Sequence, residues 1–477
     1  MTNMLRMIVP VGALFMGVAL LLMGMGLLNT LLPLRGEQEG YSTRFLGLIL
    51  SGYFAGFLLG TFLGPRLIRR IGHIRAFACC AAVVTSCAIL HALVVDPYVW
   101  LALRIVTGTA LVTLYTAIES WLNGQTTSQN RGQMLALYMI VNLVALAVAQ
   151  QFVPLASPQA FMLFAVAAMF VCSALIPVTL TRFEPPPAPV ATKMAVGTVM
   201  RMAPIAVVGA VLSGMTMGSF WTLSPVFANG VYGDVKVVAG FMSAAILGGA
   251  ALQIPLGRYS DAHDRRAVLV WAAALAGVCA LFMSAVVMWL PELHWLFYLA
   301  GFAYGGFAFA MYPLAAAHLI DHLEAEQVLD GCSTFLLIHG AGAVVGPIVS
   351  GFVMELTGPW ILPLLFAGMQ FLLAASVVLV LHRMPTLVQP ADQNAHYVPM
   401  VRTSPVVIEL HPDQPETVSE PAGIDTGPEL DAGAEPPTEQ EKAGLTGPVC
   451  GGIRAHPAAW NTPRAGDRTC SAPAVAA

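Results

Sequence analysis

Apolar residues in this chain do not alternate with polar ones; they come in long runs separated by short polar breaks. Twelve runs can be drawn, at roughly 8–34, 44–64, 77–95, 98–122, 134–153, 160–181, 201–228, 237–257, 267–290, 295–320, 332–354 and 360–382. About 20 mostly apolar residues cross a hydrocarbon core, and in lipid such a run must be helical because each backbone polar group needs an internal partner. The pattern predicts an all-α membrane protein with twelve transmembrane helices. The first run follows a short basic start, Met1 to Arg6, but it exceeds the roughly 7–15 residues of a signal-peptide core and is expected to be an uncleaved span.

The polar breaks carry an orientation. With the N-terminus in the cytoplasm, the inside segments hold Arg6, Arg66, Arg69, Arg70, Arg75, Arg131, Arg182, Lys193, Arg201, Arg258, Arg265, Arg266 and Arg383, and the outside ones only Arg35, Arg44 and Lys236. The excess of positive charge on one side predicts that both ends are cytoplasmic. One inside loop, with Asp321, Glu324, Glu326 and Asp330, is acidic and stands out.

The runs also repeat. Met23 to Pro33 lies over Met215 to Pro225 with identities at Met25/Met217, Gly26/Gly218, Thr30/Thr222, Leu31/Leu223 and both ends of the segment. Gly47 and Gly64 correspond to Gly240 and Gly257, and Tyr115 to Tyr312. An even number of spans separates the copies, so the repeat is parallel, an arrangement found in transporters with a site between two halves. The expected organisation is a six-helix bundle over 1–182, a Pro-rich cytoplasmic linker over 183–200, a second six-helix bundle over 201–383, and an acidic, Pro-rich tail over 384–477 of disordered type.

Composition removes other classes. Hydrophobic residues make up 57% and charged residues 10% of the chain, against about 25% charged in soluble domains. The three lysines, Lys193, Lys236 and Lys442, do not follow glycine, so no phosphate-binding Gly-Lys-Ser/Thr step is present. No basic stripe with aromatic residues points to nucleic acid. The cysteines lack metal-ligand spacing, and the vicinal Cys79 and Cys80 read as packing residues. Neither a cofactor nor a metal is expected.

Ionisable and polar groups inside spans are the candidates for function. In span 4, Arg104 and Glu119 lie about 60° apart around the helix and ~22 Å apart along it, with Gly108 and Tyr115 on the same stripe. That stripe is expected to face a cavity, with Arg104 binding an anionic group or coupling to a proton and Glu119 carrying the proton. Structural alternatives are an ion pair or a carbonyl clamp for Arg104 and, for Glu119, an interfacial carboxylate bonded to a neighbouring loop or to Arg131. Asn29 and Trp221, equivalents in the repeat, are expected in an outer vestibule. Tyr138 and Asn142 sit one turn apart in span 5, as substrate contacts or as packing bonds between helices. Pro313, beside Tyr312, frees a backbone carbonyl one turn earlier and suits a bending helix. His339 in span 11 is a titrating cavity residue or a structural histidine. His318, Asp321 and His322 fall on one turn, either as a metal-like set or as a solvated helix end.

Gly257, Arg258, Asp261, Asp264, Arg265 and Arg266 together resemble the Gly-x-x-x-Asp…Arg-Arg loop of the major facilitator superfamily. Gly64, Arg69 and Arg70 after span 2 are similar, with Ile68 where the family has Asp. Arg104-x-x-x-Gly108, the run Glu119 to Asn123 with Asn130 to Gly132, and Tyr312 to Leu314 resemble a bacterial inner-membrane permease subgroup of that superfamily. The antiporter element Gly-x-x-x-Gly-Pro stands in span 11, at Gly342 to Pro347, rather than in span 5, which departs from a drug antiporter. The resemblance implies alternating access, with the glycines and charges of the two loops as gates. The expected function is secondary transport of a small organic solute, proton-coupled, by a monomer in the bilayer, with no enzymatic step. Two alternatives are a membrane enzyme using His318, Asp321 and His322, and a sensor signalling through the tail.

Overall fold

The computed structural model describes residues 2–126, 131–180 and 194–383. The helices in chain order are α1 (Thr2–Gln38), α2 (Thr43–Ile71), α3 (His73–Leu93), α4 (Pro97–Gly124), α5 (Arg131–Gln150), α6 (Phe161–Ser173), α7 (Leu175–Leu180), α8 (Val196–Met202), α9 (Pro204–Tyr232), α10 (Val235–Ala262), α11 (Arg265–Trp289), α12 (His294–Ala308), α13 (Met311–Ile320), α14 (Val328–Thr357) and α15 (Leu362–Arg383). Twelve segments are long and apolar enough to cross a membrane, from Gly12–Gln38 to Pro359–Arg383. The fold is all-α among the described residues, as the apolar runs predict.

Loop side chains set the helix starts. Asp96 accepts from the backbone N–H groups of Tyr98 and Val99 ahead of Pro97, Asp234 from Lys236, and Asp264 from Arg266. Each satisfies donors that the first turn leaves orphaned. Two spans are interrupted, each just before a proline. Span 6 breaks between α6 and α7 ahead of Pro177, and span 10 breaks between α12 and α13 ahead of Pro313, where the missing N–H removes a bond to the residue four earlier. Tyr98, Trp289, Trp295 and Trp360 are exposed near one set of helix ends, where amphipathic rings suit the interface.

Packing repeats along with the sequence. α2 crosses α4 where Gly56 meets the backbone of Ile105 and Gly108 that of Tyr53. α10 crosses α12 in the same way, Gly248 against Phe302 and Gly305 against Ala245. A Cβ on any of the four glycines would sit 1.9–2.1 Å from a carbonyl oxygen, so only glycine permits this approach. Gly342 and Gly346 of α14 lie on the backbone of α9 at Val211 and Met215, which accounts for the glycine run of span 11 as packing. α14 also packs on α2, and α5 on α10.

Three expectations change. The linker expected over 183–200 contains a helix at its end, α8, anchored by the buried Val199; residues 181–193, with Arg182 and Lys193, lie outside the described residues, as does the tail. Cys79 is exposed while Cys80 is buried, because neighbours on a helix point 100° apart. Spans 6 and 10, each read as one helix, are each two.

Candidate functional site

A cavity of about 120 Å³ lies among α1, α2, α4, α5, α9, α10, α13 and α14. Its wall comprises Leu22, Met25 and Asn29 from α1, Tyr53 and Phe54 from α2, Arg104 and Tyr115 from α4, Leu143 and Leu146 from α5, Met217, Trp221 and Thr222 from α9, Gln253 from α10, Phe309 at the helix break, Tyr312 from α13 and His339 from α14. The repeat surfaces in this wall: Met25 and Met217, Asn29 and Trp221, and Tyr115 and Tyr312 are sequence equivalents. Asn29 and Trp221 both line this cavity.

Arg104 is 2% exposed. Its Nη2 donates to Asn29 Oδ1 at 2.9 Å, and its guanidinium carbon stands 4.8 Å from the centre of the Tyr53 ring. Nε and Nη1 are buried without an acceptor. No Asp or Glu lines the cavity, and among the described residues no carboxylate pairs with Arg104 within 4.0 Å. An arginine ion pair, one of the sequence readings, is therefore absent there.

His339 is buried, with Nδ1 3.1 Å from Ser213 Oγ and its ring 4.6 Å from that of Tyr312. Pro313 leaves the carbonyl of Phe309 without its helical donor, and Gln253 Nε2 donates to it at 3.3 Å. Gln253 was not singled out from the sequence. A lone amide in an apolar span is the available signal.

Glu119, Tyr138 and Asn142 do not line the cavity; they form a separate buried cluster between α4 and α5. The Tyr138 hydroxyl donates to Glu119 Oε1 at 2.9 Å, and Asn142 Nδ2 donates to the Tyr138 carbonyl at 2.6 Å. Glu119 and Tyr138 are fully buried. The ~60° between Arg104 and Glu119 is enough to turn the carboxylate toward α5 instead of the cavity. Gly108 likewise faces α2. The side chain of Arg131, named as an alternative partner of Glu119, lies outside the described residues.

At the basic helix ends, Arg265 is buried and bridges two acids. Nη2 reaches Asp261 Oδ1 at 2.9 Å, and Nε reaches Asp321 Oδ2 at 2.8 Å. Arg266 pairs with Asp264 at 2.8 Å in a more exposed setting. Its hydrogen bond holds the Asp264 carboxyl below the usual carboxylate range. Gly257 is buried in α10, Gly64 sits against Thr113 of α4, and Arg69, Arg70 and Arg258 are exposed. Asp321 therefore belongs with the loop charges and not with a His318/His322 ligand set; the two imidazoles contact each other, with ring centres 4.6 Å apart.

The family model described as the Major Facilitator Superfamily matches the chain twice, over residues 14–250 and 206–410. The chain belongs to the major facilitator superfamily, and it is a multi-pass transporter of the bacterial inner membrane. It is 29% identical over 368 residues to the uncharacterised MFS-type transporter YcaD of Shigella flexneri, covering 76% of this chain and 94% of that protein. Among solved structures, a variant of the nucleoside transporter NupG aligns with a TM-score of 0.67 at 17% identity, covering 78% of this chain and 99% of that one. A bacterial homologue of the human lysosomal transporter Spinster, inward-facing and unoccupied, gives 0.59 at 13% identity, covering 80% and 96%. At these identities the two structures speak to the fold alone.

Proposed function

We propose that this secondary transporter moves a small organic solute by alternating access of two six-helix halves, residues 1–182 and 201–383, with proton coupling and with both ends in the cytoplasm. The observation that carries the reading is the cavity: it is walled by equivalent helices of the two repeats, and three pairs of repeat-equivalent residues face it. Apolar cavities of about 150 Å³ take up benzene, so this one suits a solute of that order.

Contacts between the halves support a state closed at the end away from the basic loops. There Asn229 Nδ2 donates to Glu37 Oε2 at 2.8 Å, the Arg44 backbone N–H to Glu355 Oε2 at 3.1 Å, Thr43 Oγ1 to the Gly351 carbonyl at 3.2 Å, and Gln151 Nε2 to Ser243 Oγ at 2.8 Å. In this reading Arg104, Asn29, Tyr115, Trp221, Tyr312 and His339 contact the solute. Glu119 carries the proton one turn from Tyr115 and is held by the Tyr138 hydroxyl. Gly64, Arg69, Arg70, Gly257, Arg258, Asp261, Asp264, Arg265 and Arg266 form the cytoplasmic gates. The chain acts as a monomer with no chemical step.

The test is solute-driven proton flux in proteoliposomes. Arg104→Ala and Glu119→Gln are each expected to abolish it at normal expression. If both variants couple like the parent, the roles given to α4 are wrong. Removing residues 384–477 is expected to leave transport intact.

A further inference from the structure

The cavity holds one permanent positive charge and no negative one. A guanidinium taken out of water is costly unless a partner satisfies it, yet Nε and Nη1 of Arg104 are buried without an acceptor. Asn29 occupies one proton of Nη2, and Tyr53 covers one face of the group. These unsatisfied donors, with the second proton on Nη2, match the two oxygens of a carboxylate, although Nε and Nη1 are covered in this structure and a side chain of the wall must shift for a ligand to reach them.

The rest of the wall specifies what that carboxylate is attached to. Phe54, Tyr115, Trp221, Phe309 and Tyr312 surround the same space. Trp221 and Phe309 pack with ring centres 5.7 Å apart. Aromatic walls favour a flat ring in offset-stacked or edge-to-face contact. The volume, about 120 Å³, is of the order that admits one six-membered ring.

We infer that the solute is a small aromatic monocarboxylate whose carboxylate docks on Arg104 and whose ring lies among the aromatic side chains. This rests on the cavity being the transport site, as proposed above. A neutral aromatic amide would offer one carbonyl to the guanidinium and leave the charge uncompensated. An aromatic amine would add a second positive charge. A saturated ring acid would satisfy Arg104 and lose the stacking.

The experiment compares benzoate, benzamide, benzylamine and cyclohexanecarboxylate on the purified full-length protein in detergent, read by thermal shift and by quenching of tryptophan fluorescence. Benzoate is expected to act at a concentration about tenfold or more below benzamide, the factor a charged hydrogen bond supplies, and below cyclohexanecarboxylate. Benzylamine is expected to be inert. Arg104→Gln is expected to erase the difference between acid and amide. The comparison on the unaltered protein decides the matter even if that variant folds poorly. The inference fails if benzamide or benzylamine matches benzoate, if the saturated acid does as well, if none of the four acts, or if a folded Arg104→Gln protein keeps the benzoate response. Counterflow of labelled probes in proteoliposomes separates the two readings. Benzoate that binds without crossing refutes transport at this cavity and leaves the carboxylate assignment standing. Counterflow of benzamide or benzylamine without benzoate binding does the reverse.

Discussion

Arg265 and Arg266 are neighbours in sequence and differ sharply in setting, which makes them a controlled comparison. Arg265 is 2% exposed and its partner Asp321 3%, with Nε to Oδ2 at 2.8 Å. In the Arg266–Asp264 pair the side chains are 16% and 48% exposed. Removing one member of a buried pair costs about 3–5 kcal/mol, because the remaining charge stays out of water. Exposed pairs are worth about 0.2–1 kcal/mol. Arg265→Leu is therefore expected to destabilise by ~3 kcal/mol or more, and Arg266→Leu by less than ~1 kcal/mol. Replacing both Arg265 and Asp321 with leucine removes the stranded charge together with its partner and is expected to recover much of the loss. Equilibrium unfolding in mixed micelles, followed by intrinsic fluorescence, measures all three. Equal effects of the two single substitutions, or a double variant weaker than Arg265→Leu alone, would refute the reasoning.

Gly108→Val and Gly305→Val are expected to damage folding equally, since each places a Cβ 2.0–2.1 Å from a carbonyl oxygen of the facing helix; overpacking on this scale sits at or beyond ~3 kcal/mol. Gly368→Ala, with nothing within 4 Å, should instead gain about 0.5–1 kcal/mol of helix propensity; purified yield and melting temperature report both. Gln253→Leu strands the Phe309 carbonyl and is expected to destabilise by about 1–3 kcal/mol, while Gln253→Glu, which loses the donor but keeps the shape, should do no better in the same unfolding assay. Asp264 titrates below its ordinary value of 3.8 because Arg266 bonds to the carboxylate. Its contribution is thus present above that value and lost as pH falls through the lower folded one. The stability gap between the parent and Asp264→Asn is expected to close on acidification and to stay constant above pH ~5.

Span number was legible because the apolar runs are long and the requirement for internal backbone bonding is strict. The repeat was legible at Met25/Met217 and Tyr115/Tyr312 because both copies face one cavity. Less legible was rotation about each helix axis. Glu119 and Gly108 shared a sequence stripe with Arg104, yet one faces α5 and the other α2, since burial against a neighbouring helix and burial against a cavity have the same sequence signature. Asp321 was placed with His318 and His322 by spacing along one helix, whereas its partner Arg265 opens a different helix, α11. The signal in that case was the acidity of a loop on the basic side. Gln253 needed Pro313 as its counterpart, and no spacing rule connects residues sixty positions apart.

The bond from Gln253 to the Phe309 carbonyl ties a ligand-facing group to the joint in span 10. The amide nitrogen splints the joint, while the Oε1 atom, buried with no donor, belongs to a side chain that also lines the cavity. A solute that accepts from Nε2 would compete with the Phe309 carbonyl for it, whereas one that donates to Oε1 would not. A solute that drew the amide nitrogen away would thus remove a bond at the break between α12 and α13.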